Sequence, residues 1–87
     1  MKVLFSKRAA EEYRYWEKTD RRVWERINRL LHDIQRDPFS GIGKPEPLKH
    51  ELAGCWSRRI TGVHRMVYTI EHGQVVVVQC RYHYGRR

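Results

Sequence analysis

These 87 residues lack most of what would mark a secreted scaffold, a metal module or a membrane protein. Cysteine occurs only twice, as the isolated Cys55 and Cys80. Neither a disulfide framework nor a zinc site has support from two such thiols. The N-terminus shows no signal-peptide pattern, so both are expected to be strand residues in a reducing cytoplasm. The longest apolar run, Val75 to Val78, falls far short of the ~20 residues a spanning helix needs, which leaves a membrane role unsupported. No repeat, linker or low-complexity tract is present. Acid is also scarce. Ten Asp and Glu stand against 18 Lys and Arg, a net charge of +8. An excess of this kind favours a polyanionic partner, because neutralising phosphates releases counterions and the field speeds encounter.

The length suits one compact domain, residues 1–87, with no room for a second. A chain this short buries only roughly 60 to 65% of the surface its unfolded form exposes. Much of that scarce burial must come from three Trp, five Tyr and two Phe, and any functional site must lie on the surface of a single small core.

Lys2 to Phe5 are β-prone and Ser6 is placed to cap a first helix running to about Thr19, with Ala9, Tyr13 and Trp16 on one face. Thr19 and Asp20 break and restart the pattern. Val23, Ile27, Leu30, Leu31 and Ile34 then keep a 3.6-residue period up to Asp37-Pro38, where proline cannot continue the ladder. Almost no loop separates the helices, so an antiparallel hairpin is expected. All three prolines and two of the glycines fall between Pro38 and Pro47, a composition that predicts a structured loop. Trp56 to Thr61, His64 to Ile70 and Gln74 to Tyr82 are β-rich, His72-Gly73 predicts a tight hairpin turn, and Lys49 to Leu52 suit a short strand or a turn. The expected fold class is α+β: a two-helix hairpin packed on one face of a four- or five-stranded, mainly antiparallel sheet.

Strand alternation sorts the two sheet faces. Met66, Tyr68 and Ile70 should meet the helices, as should Trp56, Ile60, Val76, Val78, Cys80 and Tyr82. Arg58 falls on the same face, which calls for a bulge or an ion pair with a helix carboxylate such as Glu12 or Glu17. The open face then collects Arg59, Arg65, Arg81 and His83, cations that repel one another and favour a bound anion. Glu46 is held between Pro45 and Pro47, which stiffen the stem under its carboxylate. Arg22, Arg26, Arg29 and Arg36 line one side of the second helix, either as a solvated face or as a dock for a nucleic-acid backbone. His32, His50 and His72 read as ordinary surface residues.

Several uncommon residue types recur in order along the chain: Tyr13-Arg14-Tyr15-Trp16, Asp37-Pro38-Phe39, Gly43-Lys44-Pro45-Glu46-Pro47-Leu48-Lys49-His50, Trp56-Ser57-Arg58-Arg59-Ile60, His64-Arg65-Met66-Val67-Tyr68 and Cys80-Arg81-Tyr82-His83-Tyr84. In these motifs, from Met1 to Tyr84, the chain resembles the YoeB family of toxin endoribonucleases within the wider RelE/ParE superfamily. The resemblance implies a microbial-ribonuclease-like sheet carrying two helices. It implies Glu46 as general base, Arg65 as phosphate holder, His83 as general acid and Tyr84 ordering substrate or acid, with Lys49 and Arg59 on RNA phosphates. Its implied partners are messenger RNA in the bacterial ribosomal A site and an acidic, partly disordered antitoxin of the YefM type; since relatives sometimes dimerise, a homodimer joins them. Two departures stand out. Cys55 occupies a position where relatives often carry an aromatic, and Gly85-Arg86-Arg87 extends past the His-Tyr pair, adding two cations beside Tyr84.

RNA cleavage suits these residue types. The 2′-hydroxyl is a built-in nucleophile, so an enzyme needs a base for its proton, an acid for the departing 5′-oxygen and cations for the crowded phosphate, with no metal or cofactor in the scheme. Two rivals use the same fold and charge: a ParE-like toxin that binds DNA gyrase and cleaves nothing, and a ribosome- or RNA-binding module that only recognises phosphate.

Overall fold

The computed structural model describes residues 1–83. Ser6 closes β1 (Val3–Phe5) by capping α1 (Lys7–Thr19), its hydroxyl accepting from the Ala9 amide at 3.0 Å. Asp20 then serves both helices. Its amide donates to the Trp16 carbonyl at the end of α1, while its carboxylate accepts from the Arg22 and Val23 amides at the start of α2 (Arg21–Arg36). One residue that satisfies both helix ends explains why the hairpin needs no longer loop.

After the loop come β2 (Glu46–Pro47), a 3₁₀ turn over His50–Leu52, β3 (Trp56–Arg59), β4 (Arg65–Glu71) and β5 (Gln74–Gln79). The five strands lie in the order β1-β5-β4-β3-β2. Only the β1–β5 pair is parallel, because α1 and α2 and all the other strands intervene between them in the chain. The Pro38 to Pro47 stretch is not wholly loop, since Glu46-Pro47 adds an edge strand on β3; proline is tolerated there because an edge needs no further donor. Strands β3 and β5 are shorter than the sequence suggests, β4 keeps its expected length one residue further on, and Cys55 and Cys80 flank strands instead of lying in them. His72 and Gly73 both take the left-handed backbone that a tight hairpin requires.

Ile27, Leu30, Leu31 and Ile34 of α2 and Ala9 and Trp16 of α1 bury their stripe against Ile60, Met66 and Tyr68, as the periodicity predicts. Strand β5 overturns the expected parity. Val75 and Val77 enter the core, while Val76 and Val78 are only partly buried. Register explains the reversal: Val67 pairs with Gln79 and Tyr68 with Val77, so Val78 is an extra, bulged residue. Beyond the bulge the predicted parity returns, with Cys80 in the core and Gln79 on the opposite face. Tyr82, expected inside, is exposed with φ +67°, because the strand has already ended.

Arg58 faces the helices and is fully buried, yet its ion-pair partner is Asp33 of α2 at 2.6 Å and not a carboxylate of α1. Glu12 is instead committed to Arg8 and to the Cys80 amide. All five guanidinium donors of Arg58 are used: on Asp33, on the carbonyls of Asp37, Ser40 and Ile42, and on the Tyr68 hydroxyl. Removing it strands a carboxylate and three inward carbonyls. Arg58→Ala is expected to cost about 3–5 kcal/mol, a large share of the stability of so small a domain, measurable as a lower urea midpoint. The Arg58 hydrogen bond is the largest of the effects that hold Asp33 at about 2, below the usual 3.8. As pH falls the unfolded chain therefore takes up this proton first, so the Asp33 contribution is full above about pH 4 and declines as pH falls towards 2. Acid titration of stability should lose this component in Asp33→Asn.

Candidate functional site

The face away from the helices is not uniformly open. A row of residues crosses it from Glu46 on β2 to Ser57 on β3, Val67 on β4 and Gln79 on β5. Ser57 and Val67 are fully buried and Gln79 nearly so. These three make a closed floor, with Glu46 standing exposed at its rim.

Three contacts deliver Glu46 to that rim. Arg58 fixes the carbonyls of residues 37–42, as described above. The Gly43 carbonyl accepts from the Arg59 amide at 2.7 Å, which registers the end of the loop on β3. Glu46 then pairs antiparallel with Ser57. Gly43 has φ +82°, and a Cβ there would lie 2.8 Å from Leu30 and 3.2 Å from the Arg58 Cβ. Only glycine fits both the backbone and the space.

Arg65 follows on the next row, with Arg59 opposite it on β3. Its Nη1 lies 3.2 Å from Glu46 Oε1 and 3.3 Å from the Ser57 hydroxyl. The Arg65 side chain is 14% exposed and that of Glu46 49%, so the pair is an anchored guanidinium met by a solvated carboxylate. Ser57 lies on the outer face by strand alternation, two residues from Arg59. Its part as a hydroxyl steering Arg65 depends on cross-strand register, which local sequence does not carry.

The last described residues, 80–83, reach the same place from the other side. Beyond the bulge, Trp16 Nε1 donates to the Cys80 carbonyl and Glu12 accepts from the Cys80 amide. The buried Gln79 amide holds the carbonyls of Arg81 and Tyr82, and the Tyr82 carbonyl also accepts from the Arg65 amide at 3.0 Å. His83, half-buried, is the next residue. Glu46 thus reaches the Arg65 guanidinium through its side chain, and the carbonyl that precedes His83 reaches the Arg65 backbone amide. Tyr84 and the Gly85-Arg86-Arg87 extension lie outside the described residues.

Arg81 departs from the expected cationic cluster. Its guanidinium stacks over Tyr15 of α1 at 3.7 Å and near Tyr82 at 4.7 Å. The strand ends at Gln79, so simple alternation does not extend to residue 81. Lys49 is exposed and lines, with Glu46 and Pro47 to Leu52, a hollow of ≈ 370 Å³ beside the edge strand. Of the α2 arginines, Arg26 donates to the Arg59 carbonyl and Arg36 pairs with Asp33. Burial pushes the Cys80 thiol up to about 12, which keeps it protonated and inert. Among the described residues no group of three His, Cys, Asp or Glu side chains is placed to hold a metal, and no helix is long and apolar enough to cross a membrane.

Comparison with known proteins matches residues 5–84 to the family described as YoeB-like toxin of bacterial type II toxin-antitoxin system. The Streptomyces coelicolor protein named Toxin YoeB is 55% identical over 84 residues, covering 97% of this chain and 100% of its own. Among solved structures, a YoeB/ParE toxin from Agrobacterium tumefaciens superposes with a TM-score of 0.94 at 46% identity, covering 97% of this chain and all of that one. YoeB from Staphylococcus aureus, solved as a dimer, gives 0.90 at 42% identity with 97% and 98% coverage, and a YoeB-YefM complex from the same organism gives the same TM-score.

The tight seat of Gly43 yields a direct test of how Glu46 is held. Gly43→Ala is expected to lower stability by about 1–3 kcal/mol, read from urea unfolding, and to shift the Glu46 and Ser57 amide resonances while the helix resonances stay in place.

Proposed function

The chain belongs to the YoeB-like toxins of bacterial type II toxin-antitoxin systems, and from that premise we propose that it is a ribosome-dependent endoribonuclease cutting messenger RNA in the bacterial decoding site. The observation that carries this reading is the meeting at Arg65 of a stiffly mounted carboxylate, Glu46, and the peptide that leads into His83.

In the proposed reaction Glu46 takes the proton of the RNA 2′-hydroxyl. The freed oxygen attacks the adjacent phosphorus, the bond from phosphorus to the 5′-oxygen breaks, and His83 gives that leaving oxygen its proton. Arg65 stabilises the charge that gathers on the non-bridging oxygens, with Lys49 and Arg59 as contacts for neighbouring phosphates. Arg81, stacked on Tyr15, is better suited to ordering the end of the chain than to binding RNA directly. Tyr84 keeps the role the family implies, ordering substrate or acid. The products carry a 2′,3′-cyclic phosphate and a 5′-hydroxyl, and no step calls for a metal ion.

The net charge of +8 favours an RNA-rich target and equally an acidic antitoxin. The S. aureus relative, solved with YefM and as a dimer, supports a YefM-type antitoxin as this chain's partner and a homodimer as its free form, in the cytoplasm where ribosomes work. An antitoxin segment that folds on binding could cover the Glu46–Arg65 rim and block it.

Toeprinting of a defined message on ribosomes tests the proposal. Wild type should cut at the decoding site, while Glu46→Ala and His83→Gln each lose roughly 10²- to 10⁴-fold in cleavage rate. Products bearing a 5′-phosphate would overturn the mechanism. Intact message together with inhibited gyrase supercoiling would replace the proposal with the non-nucleolytic alternative.

A further inference from the structure

His64 precedes Arg65 at the start of β4 and takes no part in the chemistry above. Its backbone is pinned on both sides: the carbonyl accepts from the Ile60 and Thr61 amides, and the amide donates to the Thr61 hydroxyl. Its ring is wedged edge-on against Trp16 of α1 at 4.8 Å and tilted on Tyr82 at 5.9 Å. With the imidazole so fixed, Nδ1 accepts the Tyr82 amide proton at 2.7 Å. Tyr82 is a non-glycine residue at φ +67°, a conformation that persists only where its surroundings hold it. Its backbone is gripped on both sides of the Cα, the N–H by the His64 ring and the carbonyl by the Arg65 amide and Gln79. His83 is attached to that carbonyl.

We propose that neutral His64 is a positioning residue that fixes the Tyr82–His83 segment beside Arg65, and that acid releases it by protonating the nitrogen that accepts the Tyr82 amide. The inference rests on the ribonuclease reading only for its catalytic consequence. The latch itself is a property of the free protein.

An imidazole can accept a hydrogen bond only through an unprotonated nitrogen, so the 2.7 Å contact selects the neutral ring with its proton on Nε2. Burial beside Trp16 is the chief influence keeping the ring neutral, followed by the Arg81 guanidinium, against the weaker opposite pull of Glu12. Glu12 is already engaged by Arg8 and the Cys80 amide. Among the described residues, the Tyr82 phenol, whose ring lies tilted against the imidazole, and Arg65, the next residue along β4, are further ionisable neighbours. Once protonated, both ring nitrogens are donors. Nδ1 then opposes the Tyr82 N–H, and the exposed peptide can turn to water at little cost in stability but at the expense of its alignment.

Nuclear magnetic resonance of the free wild-type protein, followed by cleavage assays, decides the matter. At neutral pH the His64 ring should show its proton on Nε2, and the Tyr82 amide should shift through acid titration with the midpoint of His64. A His64 ring protonated on Nδ1 at neutral pH, or a Tyr82 amide indifferent to His64 titration, overturns the latch even if the protein cleaves no RNA. In the ribosome assay His64→Leu, which has no acceptor, should lose roughly 10- to 100-fold in single-turnover rate. His64→Asn places a non-titrating oxygen near the Nδ1 position and should recover most of that loss while flattening the acid side of the pH profile. Wild-type rate and profile in His64→Leu would remove the positioning role. Absence of cleavage by wild type would instead count against the ribonuclease reading and leave the resonance experiment to decide the latch.

Discussion

The structure depends on one buried cation. Arg58 points into a core otherwise built from uncharged side chains, chiefly Ile, Leu, Val, Met, Trp and Tyr, where an unpaired guanidinium would cost several kcal/mol. It is tolerated because each of its five N–H groups meets an acceptor, and three of those acceptors are backbone carbonyls of the segment between α2 and β2. That segment carries a positive-φ glycine at 41, where a Cβ would collide with Asp33, and has little regular structure to pair its polar groups. Arg58 and Asp33 take the place of a sheet ladder for it, the carboxylate accepting from the Ile42 amide while the guanidinium donates to the carbonyls. The charge in the core is therefore what gives a proline-rich loop a single conformation, and with it a fixed origin for Glu46.

A second constraint acts at the opposite edge of the site. The bulge at Val78 turns β5 so that Gln79 joins the floor of the outer face while Cys80 still packs inside. Ser6, the cap of α1, donates its hydroxyl to the Val78 carbonyl and its amide to that of Val77. The same residue that starts the first helix thus fastens the irregular point of the last strand, and α1 fastens the two residues beyond it through Glu12, Trp16 and Tyr15. One side of the site is hung from α2 through Arg58, the other from α1. The short connection through Asp20 keeps the two suspensions in register.

Much of this was legible before any coordinates. The 3.6-residue period of α2, the caps at Ser6 and Asp20, the proline stop at residue 38 and the His72-Gly73 turn each follow from interactions within a few residues. Glu46 was legible because its two flanking prolines act locally. What escaped depends on distant partners. Val75 to Val78 offers four identical side chains, so no alternation marks where a bulge reverses the faces. Arg58 announced an anomaly on the helix face, yet choosing Asp33 over Glu12 or Glu17 required the crossing of α2 over β3. Arg81 followed strand parity on paper and left it in space, because Tyr15 presents a better surface than solvent to a stacked guanidinium. His64 carried no local signal, since an imidazole's part is set by whichever hydrogen bond its nitrogens find.

The free protein's Glu46–Arg65 contact also limits how the proposed reaction can proceed. A carboxylate about half exposed, facing a guanidinium at 3.2 Å, forms a pair worth roughly 0–1 kcal/mol, little enough for an arriving phosphate to displace. A phosphodiester brings the same single negative charge to Arg65 as Glu46 does and gathers more in the transition state, and it can take the same fork of donors. Displacement would leave Arg65 held by Ser57 and free the Glu46 carboxylate from its ion-pair partner. In the proposed reaction the carboxylate resting on Arg65 would be the state before substrate arrives, and substrate binding itself would release the base. Such an exchange needs Arg65 to stay put when its ion-pair partner leaves, and the buried Ser57–Val67–Gln79 floor beneath it provides that rigidity.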